Sequence, residues 1–437
     1  MIYKLNETHD PKAKSWVQSA NVEGAPFPIQ NLPFGVYQPS DGRSRIGVAI
    51  GDRILDVYGA IEAKLLDPIP DEIRKACQSS LLNHLMSLSP KHWSELRSRL
   101  FHLLHESASP QFQERCAALL SEQKTATMEL PCHIGDYTDF YAGIYHAMNV
   151  GSLFRPENPL LPNYKWIPIA YHGRSSSIVV SGMPIARPSG QTKSADSDSP
   201  TFGPSKRLDY ELELGFYVGH GNAIGAPIPI ERAEEHIFGM SLLNDWSARD
   251  IQTWEYQPLG PFLAKSFATT ASPWIVTMEA LAPFRHAAFS RPSGDPAPLP
   301  YLFSEDDQKN GAINIALEVS LSTQEMRKEE SAPFITCRTS SKHLYWTPAQ
   351  CVTHHASNGC NLRPGDLLGS GTISGPGKDE TGSLLEKTRQ GSSPLELPNA
   401  QRCTFLEDGD EVTIGGWCRS DGYVPISLGE CTGKVTG

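Results

Sequence analysis

The clearest alternation of polar and apolar positions lies in Leu208–Leu214, which reads Leu-Asp-Tyr-Glu-Leu-Glu-Leu. This alternation has the period of a β-strand with one buried face, and it places Glu211 and Glu213 on the same side. Neighbouring carboxylates repel each other unless a cation, a proton or an arginine lies between them. The segment therefore predicts either a pair of cation ligands or the solvated acidic face of an edge strand.

Short apolar runs and tight turns dominate residues 34–57. Ser40-Asp41-Gly42 predicts a turn, and Gly51-Asp52 between two apolar runs predicts a β-hairpin with a two-residue loop. This part of the chain is expected to form a small β-rich unit.

Two helices are expected after this unit. They should begin at Ser89-Pro90 and at Ser109-Pro110, because serine caps a helix and proline suits its first position. The composition changes at Pro131. We therefore expect one domain over residues 1–130 and a second over residues 131–437.

The second domain begins with a segment rich in aromatic and ionisable residues. A helix starting near Asp139 would carry His146 on the same face about two turns later. A lone histidine on a half-apolar helix is more often a hydrogen-bonded core residue, but here an acid shares its face. His146 is therefore a candidate general base, with a structural role as the alternative.

An apolar run over Phe238–Leu243 predicts a buried strand. A helix after it would place Arg249, Gln252 and Tyr256 in one stripe of hydrogen-bond donors, with Asp245 near its start. The sequence therefore predicts a group of polar side chains just after the end of this buried strand.

Residues 313–321 alternate like another strand, and the second half as a whole favours β structure over helix. Residues 187–206 form a polar loop that is either functional or mobile.

The composition excludes several classes of protein. A net charge of -11 disfavours nucleic acid and anionic membrane as partners, and no apolar run is long enough to span a bilayer. The charged first residues do not resemble a signal peptide. Nine cysteines without paired spacing fit free thiols in a reducing compartment, so a cytoplasmic location is expected.

Four carboxylates stand out as candidate metal ligands: Asp139, Glu211, Glu213 and Asp245. Because all their donors are oxygens, a hard divalent cation is expected, and Ca²⁺ tolerates such a cage better than Mg²⁺. His354-His355 lacks the spacing of a zinc site and is interpreted as structural.

These features resemble the fumarylacetoacetate hydrolase family. The matching runs are Asp136 to His146, Tyr171 to Arg174, Leu208 to Leu214, Phe238 to Tyr256, Pro258 to Thr270, Asn358 to Gly375, and Gly382 to Glu386. The resemblance implies a mainly β fold with some helices, namely an N-terminal SH3-like β-barrel and a C-terminal catalytic β-sandwich or β-roll of the family's type. It also implies a homodimer.

The resemblance further implies residue roles. The implied metal ligands are Asp139, Glu211, Glu213 and Asp245, with Lys265 and Thr269 at a magnesium contact. His146 and Glu386 would form the catalytic dyad, and Arg249, Gln252 and Lys265 would stabilise an alkoxide. The implied substrate contacts are Tyr141, Arg155, Tyr171, Gln252, Tyr256 and Thr372.

The implied reaction is hydrolysis of a carbon-carbon bond in fumarylacetoacetate, a dianionic diketo acid, to fumarate and acetoacetate, which ends tyrosine and phenylalanine breakdown. Such a reaction needs a base for water, positive groups for the alkoxide and a cation for the leaving enolate. Alternatives are an acylpyruvate hydrolase or a decarboxylase of the same superfamily, and a non-enzymatic calcium-binding protein.

Overall fold

The first sheet is organised around the hairpin expected at Gly51-Asp52. The computed structural model describes residues 2–39, 42–398 and 400–437, so Ser40 and Asp41 of the other expected turn lie outside the described residues. Strands Arg45–Ile50 and Arg53–Asp56 pair with Ile50 opposite Arg53, and Gly51 adopts a φ of 57°, which glycine accommodates without strain. The predicted two-residue hairpin is confirmed.

Five antiparallel strands form this N-terminal sheet: β1 (Phe34–Gln38), β2 (Arg45–Ile50), β3 (Arg53–Asp56), β4 (Leu120–Glu122) and β5 (Thr127–Glu129). Their order in the sheet is β4-β3-β2-β1-β5. The α-helices between them are α1 (Val57–Glu62), α2 (Asp71–Cys77), α3 (Asn83–Met86), α4 (Pro90–Leu104) and α5 (Pro110–Ala117). Helices α4 and α5 begin at the two predicted serine-proline pairs. The Ser109 hydroxyl accepts from the Phe112 amide, whereas the Ser89 hydroxyl does not cap the backbone and lies 2.9 Å from His92 Nδ1.

The rest of the chain alternates short strands with short helices. Its strands are β6 (Tyr137–Phe140), β7 (Ala170–Gly173), β8 (Ile178–Val180), β9 (Pro184–Ala186), β10 (Ser189–Thr192), β11 (Thr201–Pro204), β12 (Leu208–Asp209), β13 (Leu212–Val218), β14 (Ile237–Asp245), β15 (Ser247–Ala248), β16 (Thr269–Ala271), β17 (Val276–Thr277), β18 (Arg285–His286), β19 (Ala312–Ile313), β20 (Ile315–Ser322), β21 (Phe334–Ser340), β22 (Leu367–Gly369), β23 (Leu395–Glu396), β24 (Arg402–Cys403), β25 (Glu411–Cys418) and β26 (Ile426–Thr436). Its α-helices are α6 (Ile144–Phe154), α7 (Arg249–Glu255), α8 (Glu305–Asn310), α9 (Gln324–Lys328), α10 (Pro348–Ala356) and α11 (Leu384–Lys387).

Two sheets pack face to face in this part of the chain. The central sheet runs β7-β6-β22-β13-β14-β16-β8, with β17 also paired to β14, and the second sheet runs β21-β20-β25-β26-β9. Glycines allow the close approach: a Cβ at Gly433 of β26 would lie 2.4 Å from the Trp246 ring, and one at Gly416 of β25 would lie 2.9 Å from Leu242. The expected mixed β architecture with some helices is confirmed.

Two local expectations are wrong. Leu208–Leu214 is not a single half-buried strand: β12 ends at Asp209, β13 begins at Leu212, and every residue of the segment is buried. The Asn244 side chain accepts the Glu211 amide at 3.1 Å in the gap between the two strands. The solvated acidic edge is therefore excluded.

The expected helix from Asp139 is also wrong, because Asp139 lies in strand β6 and α6 begins at Ile144. In the loop expected over residues 187–206, β10 and β11 form a hairpin that packs on α7.

Two further findings concern the cysteines and the length of the helices. All nine cysteines are free thiols across residues 2–39, 42–398 and 400–437. No helix in these described ranges is long and apolar enough to cross a membrane. His354 and His355 lie on α10 and are hydrogen-bonded to Tyr301 and Thr138 respectively.

Candidate active site

Three buried carboxylates from separate strands meet in the central sheet. They belong to Asp139 of β6, Glu213 of β13 and Asp245 at the end of β14, and one oxygen of each lies within 4.8 Å of the others. Acids this close in a buried place need protons or a cation between them. We refer to these three residues as the acidic triad.

The strand register explains why the triad converges. Gly369 of β22 lies opposite both Asp139 and Gly215, so it sits between the first two acids. A Cβ at Gly369 would lie 2.6 Å from an Asp139 oxygen and 3.0 Å from a Glu213 oxygen. Only glycine leaves these carboxylates enough space to approach each other.

The triad fits a hard divalent cation. Burial raises the pKa values of Asp139 and Glu213 well above their usual range, and the neighbouring carboxylates raise them further. Glu213 Oε1 and the Tyr137 hydroxyl are buried and find no hydrogen-bond partner among the described residues. A divalent ion bound by these oxygens would supply the missing positive charge and the missing contacts.

Glu211 faces the same region but is held by two basic side chains. It accepts hydrogen bonds from Lys265 Nζ and, at 2.8 Å, from Arg249 Nη1. Burial alone would raise the pKa of Glu211, but Lys265 and Arg249 hold it well below its usual range. Lys265 also donates to Asp245 at 2.8 Å and therefore connects Glu211 with the triad.

His146 and Glu386 form a buried pair beside this cluster. His146 Nδ1 lies 2.6 Å from Glu386 Oε2, and His146 Nε2 lies 4.0 Å from Glu211 Oε1. Glu386 also accepts from Asn149 Nδ2 at 2.8 Å, Ser374 Oγ at 2.9 Å and Ser383 Oγ at 2.8 Å. Because an ionised Glu386 accepts the proton of Nδ1, Nε2 is left as the free base.

The ionisation of Glu386 follows from these contacts. Burial alone would raise its pKa, but His146 and the hydrogen bonds from Asn149 and Ser383 lower it below the usual value. The imidazole is thereby held with Nε2 towards the acids.

Arg249 begins α7 and carries several hydrogen bonds at once. Its Nη1 lies 3.1 Å from Gln252 Oε1, so these two members of the expected stripe do lie together. Nη2 is buried without a partner among the described residues and remains a free donor. Tyr256 lies just beyond the end of the helix and is exposed. Asp245 belongs to β14 and not to the helix start.

The residues expected to contact substrate fall into two groups. Tyr141 packs edge-on against His146, with ring centroids 5.5 Å apart, and the Tyr171 hydroxyl donates to Asp245 at 2.8 Å. Thr372 is buried beside Gly143 at the start of the His146 helix. In contrast, Arg155 is exposed, like Tyr256, and donates to the Pro159 carbonyl at 3.2 Å.

Thr269 lies beside Asp245, and both residues line a small cavity. The Thr269 hydroxyl donates to Asp245 Oδ1 at 2.8 Å. A cavity of about 190 Å³ is lined by Asp245, Lys265 and Thr269, with Tyr171 and Phe262 also in its wall.

Sequence reasoning missed the residues that support the dyad. Asn149 lies three positions after His146 on the same helix, a spacing that could have indicated it. Ser374 and Ser383 are remote in sequence and carried no signal. Asp209 is the first acid of the alternating segment and has the same period as Glu211 and Glu213, so the alternation could have indicated it.

Both halves of the chain match known family models. Residues 30–131 match the description "Fumarylacetoacetase N-terminal", and residues 137–436 match "Fumarylacetoacetate (FAA) hydrolase C-terminal". The chain belongs to the fumarylacetoacetate hydrolase family. The two matched regions agree with the two-part fold described above.

Curated members of the fumarylacetoacetate hydrolase family align along almost the whole chain. Human fumarylacetoacetase is 50% identical over 418 residues, which cover 94% of this chain and 97% of the human protein. The Caenorhabditis elegans fumarylacetoacetase is 49% identical over 420 residues, with the same two coverages. A solved fumarylacetoacetate hydrolase from Exiguobacterium antarcticum has a TM-score of 0.50 at 17% identity, covering 93% of this chain and 99% of that one, and supports the fold alone.

Proposed function

We propose that this protein hydrolyses the carbon-carbon bond of fumarylacetoacetate to give fumarate and acetoacetate. The observation that carries the proposal is a buried imidazole-carboxylate pair whose Nε2 lies 4.0 Å from Glu211, a residue that Lys265 connects with the acidic triad. The chain is also similar to fumarylacetoacetases over nearly its full length. This arrangement supplies a base, fixed positive charge and a cation site in one place.

In the proposed mechanism, His146 acts as the general base. Glu386 holds the imidazole through Nδ1, so Nε2 takes a proton from a water molecule that attacks the carbonyl carbon of the fumaroyl group, and the acetoacetate carbanion is the leaving group. The imidazolium formed in this step is stabilised by the Glu386 carboxylate. When the carbon-carbon bond breaks, the same proton can be returned to the leaving carbanion.

Lys265 and Arg249 are proposed to stabilise the negative charge that develops on the attacked carbonyl. The neighbouring acids outweigh burial and raise the pKa of both side chains, so both remain protonated. Arg249 Nη2 is free to donate, and Gln252 lies against the same guanidinium. Donors that are already in place contribute more in a buried site than they would in water.

The proposed metal ligands are Asp139, Glu211, Glu213 and Asp245, with Lys265 and Thr269 at the side of Asp245. We propose Ca²⁺ as the ion, with Mg²⁺ as the second candidate, because a carboxylate-rich cage suits calcium better. A bound divalent ion would place positive charge beside the diketone oxygens.

Substrate binding is proposed to involve Tyr141, Arg155, Tyr171, Gln252, Tyr256 and Thr372. Arg155 and Lys265 would form ion pairs with the two carboxylates of the dianionic substrate. Such a local pair of cations would allow a protein of negative net charge to bind an anion. Since Arg155 and Tyr256 are exposed, we expect them to contact the substrate from the rim.

Three further properties belong to the proposal. These are a homodimer, a cytoplasmic location and a domain boundary between residues 130 and 131. The free cysteines support a reducing compartment, and the match of one family model up to residue 131 supports the boundary. Light scattering on purified protein, with twice the chain mass expected, would test the dimer.

Neither alternative is favoured by a specific observation. A calcium-binding protein without activity has no need of the His146–Glu386 pair, and the relatives described above are fumarylacetoacetases rather than acylpyruvate hydrolases. The test is to assay purified protein on fumarylacetoacetate and on acylpyruvates side by side. We expect a clear preference in kcat/KM for fumarylacetoacetate, and a preference for acylpyruvates would overturn the proposal.

A further inference from the structure

The fully buried carboxylate of Asp209 connects two separate parts of the site. Its Oδ2 accepts Arg249 Nε at 2.9 Å and the Leu385 amide at 2.9 Å, while its Oδ1 accepts the Leu384 amide at 2.7 Å. Leu384 and Leu385 are the first residues of α11, the short helix that carries Glu386. Asp209 therefore contacts both the guanidinium and the backbone that carries the dyad carboxylate.

The strand pairing fixes this carboxylate in place. Asp209 of β12 lies opposite Ser247 of β15, and the Arg249 amide donates to the Arg207 carbonyl at 2.9 Å. The Tyr210 amide also donates to Asp209 Oδ1 at 2.9 Å, so four donors converge on the two oxygens. A carboxylate can accept all four bonds, whereas an amide of the same shape turns one acceptor into a donor.

We propose that Asp209 is a positioning residue that sets the distance between the Arg249 guanidinium and the Glu386–His146 pair. The inference rests on the proposed function and adds a residue to it. Asp209 is buried away from solvent and acts only through the groups that it holds. Small displacements of a base relative to the charge-stabilising donors lower the rate of the chemical step more than they affect substrate binding.

The structure offers a matched control in Asp56. Its carboxylate is also buried, and it accepts the Gly59 amide at 2.8 Å at the start of α1 and Arg45 Nη1 at 2.6 Å. Asp56 thus accepts hydrogen bonds both from the first turn of a helix and from an arginine, as Asp209 does, but it lies in the N-terminal sheet. Loss of this carboxylate should affect stability without affecting the chemistry.

The test compares Asp209→Asn and Asp56→Asn with the wild-type protein on fumarylacetoacetate. We expect Asp209→Asn to lower kcat by about 10- to 100-fold while KM changes less than about threefold, in line with the usual effect of groups that orient catalytic side chains. Calcium affinity measured by calorimetry should fall by a smaller factor than kcat, because the hydrogen bonds of Asp209 in the described structure do not involve the acidic triad. Asp56→Asn should keep the wild-type kcat per folded molecule, whatever its loss in melting temperature.

Asp209→Glu provides a second variant that keeps the negative charge. We expect it to recover part of the kcat lost in Asp209→Asn, and it replaces that variant if Asp209→Asn does not fold. The inference is wrong if the Asp209 variants have the kcat of wild type, or if they lose it only in proportion to folded protein. Failure of the proposed function is distinct, because the wild-type protein itself would then show no turnover of fumarylacetoacetate.

Discussion

The Nδ1 atom of His146 lies 2.6 Å from Glu386 Oε2, and both side chains are buried. Because three other side chains also donate to Glu386, this carboxylate cannot turn away from the ring without losing several bonds. The imidazole is therefore fixed in orientation before any substrate is present.

Replacing His146 with alanine should abolish most turnover and leave the fold intact. Loss of a general base usually lowers kcat about 10²- to 10⁴-fold. Steady-state kinetics, circular dichroism and calcium calorimetry on His146→Ala would check this. His354→Ala, which removes a histidine bonded only to Tyr301 in the described structure, is the control and should be fully active. Unfolding of His146→Ala would instead support a purely structural histidine.

Replacing Glu386 with glutamine should also lower kcat, by about 10- to 100-fold, because the imidazolium formed during the reaction loses its negative partner. KM should change little, since Glu386 contacts the base and not the substrate. The comparison variant is Ser383→Ala, which removes one of the hydrogen bonds to Glu386 and should have a smaller effect. Equal losses in both variants would contradict this role for the charge.

Calcium binding should release protons. Burial and mutual repulsion raise the pKa values of Asp139 and Glu213, so these acids are protonated without a cation at a pH where free carboxyl groups would be ionised. A cation favours the ionised forms, so affinity should weaken as the pH falls. Calorimetry in two buffers of different ionisation enthalpy would measure the released protons, and a binding enthalpy independent of the buffer would refute the prediction.

The two glutamates of the alternating segment should differ in their effect on the metal. Glu213 belongs to the acidic triad, whereas Glu211 is already bonded to Lys265 and Arg249. Both Glu211→Gln and Glu213→Gln should weaken calcium binding, and we expect the larger loss in Glu213→Gln. Titration calorimetry of the two variants would decide, and a larger loss in Glu211→Gln would place the ion closer to Lys265.

The fold was predictable where the signal was local. The Gly51-Asp52 hairpin and the helix starts at Pro90 and Pro110 were found because a turn glycine and a proline at the first helical position act on their immediate neighbours. Asp139 was wrongly assigned to a helix, because its strand is defined by a parallel pairing with Gly369, far away along the chain. A pairing between residues so far apart in the sequence does not show in the local pattern of polar and apolar residues.

The site was predictable mainly through the family resemblance. Alternation alone identified Glu211 and Glu213, but it could not show that Lys265 and Arg249 hold the first while the second joins Asp139 and Asp245. These partners come from different strands and loops. The register between strands determines which carboxylate forms an ion pair with which basic side chain. The residue types alone do not reveal that register.

The most direct test of the account is turnover of fumarylacetoacetate in water labelled with a heavy oxygen isotope, followed by mass spectrometry of the products. If a water molecule activated by His146 attacks the carbonyl of the fumaroyl group, the new carboxylate oxygen of fumarate carries the label, and His146→Ala forms almost no labelled fumarate. Absence of fumarate, or fumarate without the label from the wild-type protein, would contradict the account.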